Sequence, residues 1–215
     1  MILPDFSREE SLARKGYKMV AGVDEAGRGP LAGPVVAAAV VFENSKELAK
    51  DLARMGVRDS KMVSPKKRES LYDFIVDNSR SWAAEVVSEK VIDKINILNA
   101  TKLAMRGALE KLGVRPDFIL IDGNATLEDF PVSQLAIPRA DQYVFSVSAA
   151  SIIAKVTRDR ILLEMDEKYP GYGFSEHKGY GTKFHMEVLK EKGPCEIHRR
   201  SFSPIKELLG LMGVE

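Results

Sequence analysis

Four acidic residues follow short apolar runs, and together they could hold divalent metal ions. Carboxylate oxygens are the ligands that Mg²⁺ and Mn²⁺ prefer, and two-metal phosphodiester chemistry needs several of them converging on one place. Buried strands commonly present such side chains where they end. The sequence therefore indicates a candidate two-metal site. Its members are Asp24, Glu25, Asp122 and Asp141.

Three of the four acids also have an ordinary structural explanation, and position alone does not exclude it. Asp24 and Asp122 would suit strand-terminal turns, and Asp141 would suit the N-cap or first turn of the helix that follows. Successive residues of a regular strand point to opposite faces of the sheet. Asp24 and Glu25 can therefore serve one metal pair only from a strand end or a β-bulge, and we expect one of these there.

The segment after the paired acids could be mistaken for a nucleotide-binding loop. Gly27-Arg28-Gly29-Pro30-Leu31-Ala32 matches the G-x-G-x-x-A pattern. That pattern must open a helix after a strand, whereas Pro30 and Pro34 here lead into a second strand-like run. The paired carboxylates would also repel a pyrophosphate. The context therefore argues against dinucleotide binding.

The strands and helices that would position these residues are predicted from hydrophobic periodicity and from the glycine, proline and polar residues that end each element. Five strands are predicted, at Val20–Val23, Val35–Phe42, Trp82–Val87, Asp117–Ile121 and Gln134–Ile137. Helices are predicted at Leu48–Met55, from the N-cap Ser64 to about Asn78, and at Ser88–Ile95, Asn99–Leu112, Ser146–Tyr169, Thr182–Glu191 and Pro204–Leu211. The short first connection favours an antiparallel first strand pair. Alternating helices and strands then indicate a mixed sheet of the α/β class.

Composition bounds the class of protein. The 215 residues, 45% hydrophobic and 29% charged, are typical of a globular protein. A net charge of +1 gives no overall polybasic signal, so nucleic acid would need a local basic patch. The single cysteine, Cys195, excludes an internal disulfide and a cysteine-based zinc site. We find no signal-peptide core and no membrane-length apolar run, and we expect a cytoplasmic protein with no membrane partner.

Six further sequence motifs span nearly the whole chain. They are Val23-Asp24-Glu25-Ala26-Gly27-Arg28-Gly29-Pro30, Arg58-Asp59-Ser60-Lys61, Ile121-Asp122-Gly123, Arg139-Ala140-Asp141, Ser148 to Asp159, and Lys178-Gly179-Tyr180-Gly181-Thr182. In this order they resemble the type 2 ribonuclease H family, and within it the bacterial ribonuclease HII branch. One departure is Arg139, where many members have lysine.

The resemblance implies an RNase H-like fold, with a five-stranded mixed sheet flanked by helices and a C-terminal helical extension. We expect residues 1–215 to form one catalytic domain, with the sheet-containing core at about 1–145 and the helical part at about 146–215. It implies an endonuclease that cuts the RNA strand of RNA–DNA hybrids and incises 5′ of single ribonucleotides in duplex DNA. The alternative is another RNase H-like nuclease, such as a resolvase or DNA endonuclease, without selectivity for the 2′-OH.

Individual roles come from matching positions in the family motifs. Asp24, Glu25, Asp122 and Asp141 match the catalytic carboxylates that bind two Mg²⁺ or Mn²⁺ ions. The backbone of Gly27, Arg28 and Gly29 is expected to read the ribose. Tyr180 matches a tyrosine that bonds the 2′-OH and packs on the next sugar.

Several basic side chains and one histidine are further candidates for contacts with the substrate. Arg28 and Lys61 are candidate phosphate contacts, and His185 is left as a possible site residue. The residues Lys178, Lys183, Arg199 and Arg200 could extend a basic face, although a solvated surface explains each of them singly. The expected substrates are RNA–DNA hybrids and duplex DNA containing ribonucleotides, and we expect a monomer.

Overall fold

The computed structural model describes residues 3–43, 45–57 and 60–211. Its five strands are β1 (Val20–Ala26), β2 (Val35–Val41), β3 (Ser81–Val87), β4 (Phe118–Asp122) and β5 (Ser133–Ile137). Its helices are α1 (Ser7–Arg14), α2 (Lys46–Met55), α3 (Pro65–Asn78), α4 (Glu89–Glu110), α5 (Phe145–Lys168), α6 (Phe174–His177), α7 (Lys183–Lys192) and α8 (Ile205–Leu211). Short 3-10 turns cover Ser60–Met62 and Ala140–Gln142.

The strands form one mixed sheet in the order β3-β2-β1-β4-β5. β1 pairs antiparallel with β2, and β2 with β3, whereas β4 lies parallel to both β1 and β5. The predicted antiparallel first pair and the mixed five-stranded sheet are confirmed. Because β1 and β4 run in the same direction, their carboxyl ends meet at one edge of the sheet.

Helices cover both faces of this sheet. The alternating residues of β2 divide between the two sides: Ala38 and Val40 pack in the core under α5, and Ala37 and Ala39 in the core under α4. Helix α5 approaches β1 very closely, because a Cβ on Gly22 would stand 2.2 Å from the carbonyl carbon of Ser146. The small residues at the start of α5 thus bring that helix directly against the strand that bears Asp24.

Most of the predicted helices are confirmed, with two additions. Ser64 caps α3 by accepting the Lys67 N–H, as expected. The two helices predicted on either side of residue 96 form α4, which is broken by the non-helical backbone of Asn96. Helices α1 and α6 were not predicted; α6 spans only four residues, too few to produce a periodic pattern. No helix in the described ranges is long and apolar enough to cross a membrane.

Candidate active site

The ends of β1 and β4 bring three of the predicted acids to one edge of the sheet. The last parallel pair joins Val23 to Ile121, and Asp24 and Asp122 are the next residues of their strands. Asp24 is buried, while Glu25 and Asp122 are partly buried. A position at the edge of the sheet, where the parallel ladder stops, therefore holds this part of the predicted set.

The expected β-bulge at Asp24-Glu25 is absent from the described pairing with β2. Asp24 pairs with Ala38 and Glu25 with Ala37 in unbroken register. The strand end exists only on the β4 side. Glu25 consequently alternates with Asp24, and it lines both the main cavity and a neighbouring cleft that Asp122 also lines. The two adjacent side chains thus line two neighbouring hollows, and Glu25 and Arg28 line both of them.

Asp141 joins the group from the segment before α5. It lies in the 3-10 turn at Ala140–Gln142, whereas the N-cap of α5 is Val144. The alternative of a helix N-cap is therefore wrong. The Ala140 N–H donates to Oδ1 of Asp122 at 2.7 Å, and the Ser148 hydroxyl donates to the Asp141 carbonyl at 2.7 Å. These bonds tie the turn to the end of β4 and to α5.

The acids interact as a group of like charges. Burial raises the pKa of Asp24 well above its ordinary value, and Glu25, Asp122 and Asp141 raise it further in that order. A hydrogen bond from Ser151 acts in the opposite direction. A buried carboxylate repelled by three others favours a cation among them.

The donor set fits a hard divalent cation, although the side chains do not surround a metal-binding position. All four predicted donors are carboxylates, as Mg²⁺ and Mn²⁺ prefer. Across residues 3–43, 45–57 and 60–211, no three Asp, Glu, His or Cys side chains are grouped so as to hold a metal ion. Mutual repulsion is a physical reason for like-charged side chains to stand apart.

A cavity of about 430 Å³ lies against this edge. It brings together seven of the predicted site residues, namely Asp24, Glu25, Gly27, Arg28, Gly29, Lys61 and Tyr180. Its wall also contains Ala26, Ser60, Ser151, Lys155 and Arg158. Of the remaining predicted residues, Asp122 lines the adjoining cleft. Asp141 lines neither hollow, but its charge raises the pKa of Asp24, and the N–H of the preceding residue, Ala140, donates to Asp122.

Two buried arginines hold residues 27–34, the loop between β1 and β2 that we call the glycine loop. Arg158 on α5 donates to the carbonyls of Pro34, Ala32 and Lys178. Arg199 donates to the carbonyls of Gly33, Arg28, Gly27 and Pro34. Gly27 has φ +97, and a Cβ there would stand 2.2 Å from Nε of Arg158. Only glycine fits this loop without displacing its support.

The expectation of a solvated surface is wrong for Arg199. Its side chain is fully buried, whereas the neighbouring Arg200 is exposed. Adjacent arginines look alike in a sequence, and the carbonyls that bind Arg199 come from more than 160 residues away. No local pattern could have distinguished the two. Lys183 is exposed, as expected, while Lys178 is half-buried.

Three polar residues of the cavity wall, Ser60, Ser151 and Lys155, belong to the sequence motifs but have no predicted role. The Ser60 and Ser151 hydroxyls are buried and 2.9 Å apart. Lys155 donates to Asp159 at 2.6 Å, and burial lowers the pKa of Lys155. Ser151 and Lys155 lie four residues apart on α5, and that spacing is a signal that they share one helix face.

The remaining candidates differ in their exposure. Lys61 is exposed at the cavity, while Arg58 and Asp59 of the same motif lie outside the described residues. Tyr180 is 47% exposed, and its ring passes 3.8 Å from the position of a Cβ on Gly29. His185 is fully buried behind Tyr180. Its two ring nitrogens lie within hydrogen-bond distance of the Tyr180 carbonyl and of His198, and it does not line the cavity.

Comparison with known proteins gives a consistent result. The family model described as Ribonuclease HII matches residues 21–205. A ribonuclease HII from Caldicellulosiruptor bescii is 50% identical over 206 residues, which cover 96% of each chain. A second, from Caldicellulosiruptor saccharolyticus, is 49% identical over 197 residues, covering 92% of this chain and 93% of the relative.

Solved structures with a similar fold include ribonucleases H of the same type. The ribonuclease H2 of Pyrococcus horikoshii OT3 has a TM-score of 0.76 and 30% identity, covering 92% of this chain and 100% of the other. The RNase HII in a PCNA complex from Archaeoglobus fulgidus has a TM-score of 0.73 and 29% identity, with 86% and 95% covered. Bst-RNase HIII in complex with Mn²⁺, at 20% identity and TM-score 0.67 over 90% and 70%, shares the fold.

Proposed function

The chain belongs to the ribonuclease HII family, and on that premise we propose that it incises duplex DNA 5′ of single ribonucleotides by two-metal catalysis. Family membership makes it an endoribonuclease that acts on RNA–DNA hybrids. The finer activity is supported by one observation above all. A single cavity joins the acidic strand ends to a glycine loop and an exposed tyrosine.

Asp24, Glu25, Asp122 and Asp141 would hold two Mg²⁺ or Mn²⁺ ions, of which Mn²⁺ is present in the Bst-RNase HIII complex. Bound there, such ions activate water and stabilise the leaving 3′ oxygen. The raised pKa of Asp24 supports this placement, because a cation would relieve the repulsion that the four acids share. The bond from the Ala140 N–H would orient the Asp122 carboxylate, and the bond from the Ser148 hydroxyl to the Asp141 carbonyl would hold the backbone of Asp141 in place.

The glycine loop and Tyr180 would select the ribonucleotide. Telling RNA from DNA means reading one hydroxyl. The exposed Gly29 leaves the loop backbone open to a sugar, whereas Gly27 makes room for Arg158. The arginine bonds fix that backbone before any substrate arrives. Tyr180 stands beside Gly29 with almost half of its surface free. We assign it the 2′-OH contact and packing against the following deoxyribose.

Arg28 and Lys61 would contact phosphates. Arg28 lies 3.3 Å from Glu25, with half of its side chain exposed, and Lys61 is exposed at the same cavity. Such contacts supply affinity and salt dependence without reading sequence.

The substitution Asp122→Asn tests the metal assignment. The asparagine carbonyl can still accept the Ala140 N–H, so we expect an unchanged melting temperature. Loss of outer-shell partners alone costs about 10–100-fold, so loss of a ligand should lower cleavage of an RNA–DNA hybrid by at least about a hundredfold. The exposed Asp77→Asn on α3 is the matched control. Wild-type turnover by Asp122→Asn would refute the assignment.

A further inference from the structure

All three histidines of the chain, His177, His185 and His198, lie together behind Tyr180. His177 stacks on His185 with 4.2 Å between ring centroids, and His185 and His198 are almost entirely buried. The Phe174 ring packs at nearly a right angle against both His177 and His185. The cluster lies outside the cavity lining, and the mechanism above does not use it.

The hydrogen bonds of this cluster run in a single direction. The Tyr180 carbonyl can only accept, so His185 donates to it through Nδ1 at 2.9 Å. The Nε2 of His185 must then accept from Nε2–H of His198, 3.0 Å away. The Nδ1 of His198 in turn accepts the Cys195 N–H at 2.9 Å. Nδ1 of His198 also lies 3.2 Å from the Cys195 carbonyl oxygen and sulfur, but the Cys195 N–H is its shortest contact, and this arrangement assigns one neutral tautomer to each ring.

His177 holds the other side of the same segment. Its Nε2 donates to the Tyr172 carbonyl at 2.7 Å, and its Nδ1 accepts the Gly179 N–H at 3.1 Å. The carbonyl of Gly179 accepts the Leu31 N–H at 2.8 Å, which attaches this segment to the glycine loop. Gly179 and Tyr180 are thus fixed between imidazoles on one side and the loop on the other.

We propose that the three neutral histidines are positioning residues, forming a brace that fixes the Gly179–Tyr180 backbone and so places the Tyr180 ring over the glycine loop. The inference rests on the proposed function of Tyr180. A second proton on His185 would set its Nε2–H against the Nε2–H of His198, so the bond between these two rings holds only while His185 is neutral. Burial also lowers the pKa of His185 and His198 to about 4.

The first arm of the test does not depend on nuclease activity. With three histidines in the chain, ¹⁵N–¹H spectra of the imidazoles can be assigned from single His→Gln variants. At pH 7 we expect His185 to carry its proton on Nδ1, and His177 and His198 on Nε2. A charged ring, or His185 protonated on Nε2, would overturn the brace.

The second arm measures selectivity. His185→Leu removes the bond to the Tyr180 carbonyl, whereas His185→Asn keeps a donor where Nδ1 stands. We expect His185→Leu to lower kcat on a single-ribonucleotide duplex by about tenfold relative to an all-RNA hybrid, and His185→Asn to restore most of that loss. Glu187→Gln, exposed on the same helix, is the matched control. Equal loss on both substrates would mean a purely structural role.

A double-mutant comparison separates this inference from its premise. In a Tyr180→Ala background, His185→Leu should change the selectivity no further, and an additional loss would overturn positioning through Tyr180. If Tyr180→Ala itself leaves selectivity unchanged, the proposed function of Tyr180 fails and the positioning role fails with it. The imidazole spectra then still decide whether the brace exists.

Discussion

Replacing Gly27 by alanine is expected to displace the loop that faces the carboxylates. At φ +97 an L-residue is strained, by about 1–2 kcal/mol. The added Cβ would stand 2.2 Å from Nε of Arg158 and 2.7 Å from the Pro34 carbonyl oxygen. Ordinary contacts between heavy atoms begin near about 3.5 Å, so the loop or the guanidinium must move by roughly 1 Å.

The stability and activity effects follow from that displacement. Overpacking adds about 1–3 kcal/mol to the backbone strain, and at this chain length each kcal/mol lowers Tm by about 2–4 °C. A 1 Å misplacement near the chemistry costs on the order of a hundredfold in rate. Gly27→Ala should therefore melt several degrees lower and cut a single-ribonucleotide duplex about a hundredfold more slowly.

Two alanine variants separate strain from clash. Gly16 has φ +99 and open space around its Cβ position, so Gly16→Ala carries the strain alone. The Cβ of Gly29→Ala would meet only the Tyr180 ring, at 3.8 Å, so that variant should fold normally. Thermal melts and single-turnover cleavage are compared for all three. Equal Tm for Gly27→Ala and Gly16→Ala, or full cleavage by Gly27→Ala, would show that the added Cβ does not displace the loop.

Three further predictions concern substrate and pH. Tyr180→Ala should reduce cleavage of a single-ribonucleotide duplex more than that of an all-RNA hybrid; an equal loss in parallel time courses argues against a junction role. Arg28→Ala should reduce the slope of log affinity against log salt by about 1, and an unchanged slope in titrations at several salt concentrations excludes a phosphate contact. The difference in the free energy of unfolding between the wild type and His198→Gln should become smaller as the pH falls from 6.5 to 4. Burial lowers the pKa of His198 to about 4, so the unfolded chain takes up protons that the folded chain does not, and the contribution of His198, complete above 6.5, is lost on acidification. Urea midpoints measure this, and a constant difference contradicts it. Buried Asp24, with a raised pKa, acts in the opposite direction in both proteins, so the comparison with the variant isolates the histidine.

The sheet and its acidic edge were predictable because their signals are local. A short connection after Val23 forces the antiparallel partner, and Asp122 directly follows an apolar run that can only be a buried strand. The position of Asp141 needed the family resemblance, since a carboxylate before a helix is ordinarily a cap. The structure places it in a separate 3-10 turn.

The support of the loop could not be predicted, because it consists of contacts distant in sequence. Arg158 and Arg199 bind carbonyls of the loop that lie more than 120 residues away in the sequence. Every residue has a backbone carbonyl, so no residue type marks such a partner in the sequence. The histidines show the same limit. His185 and His198 lie thirteen residues apart on either side of α7's end, and only the folded chain makes them a pair.

A paired cleavage assay decides whether the chain recognises a single ribonucleotide in duplex DNA. Two duplexes are compared that differ by a single 2′-hydroxyl, one all-DNA and one with a single ribonucleotide, in the presence of Mg²⁺ or Mn²⁺. We expect one incision on the 5′ side of the ribonucleotide, leaving 3′-hydroxyl and 5′-phosphate ends, and no cut in the all-DNA duplex. Equal cutting of both, no incision of either, or a 2′,3′-cyclic phosphate end would contradict it.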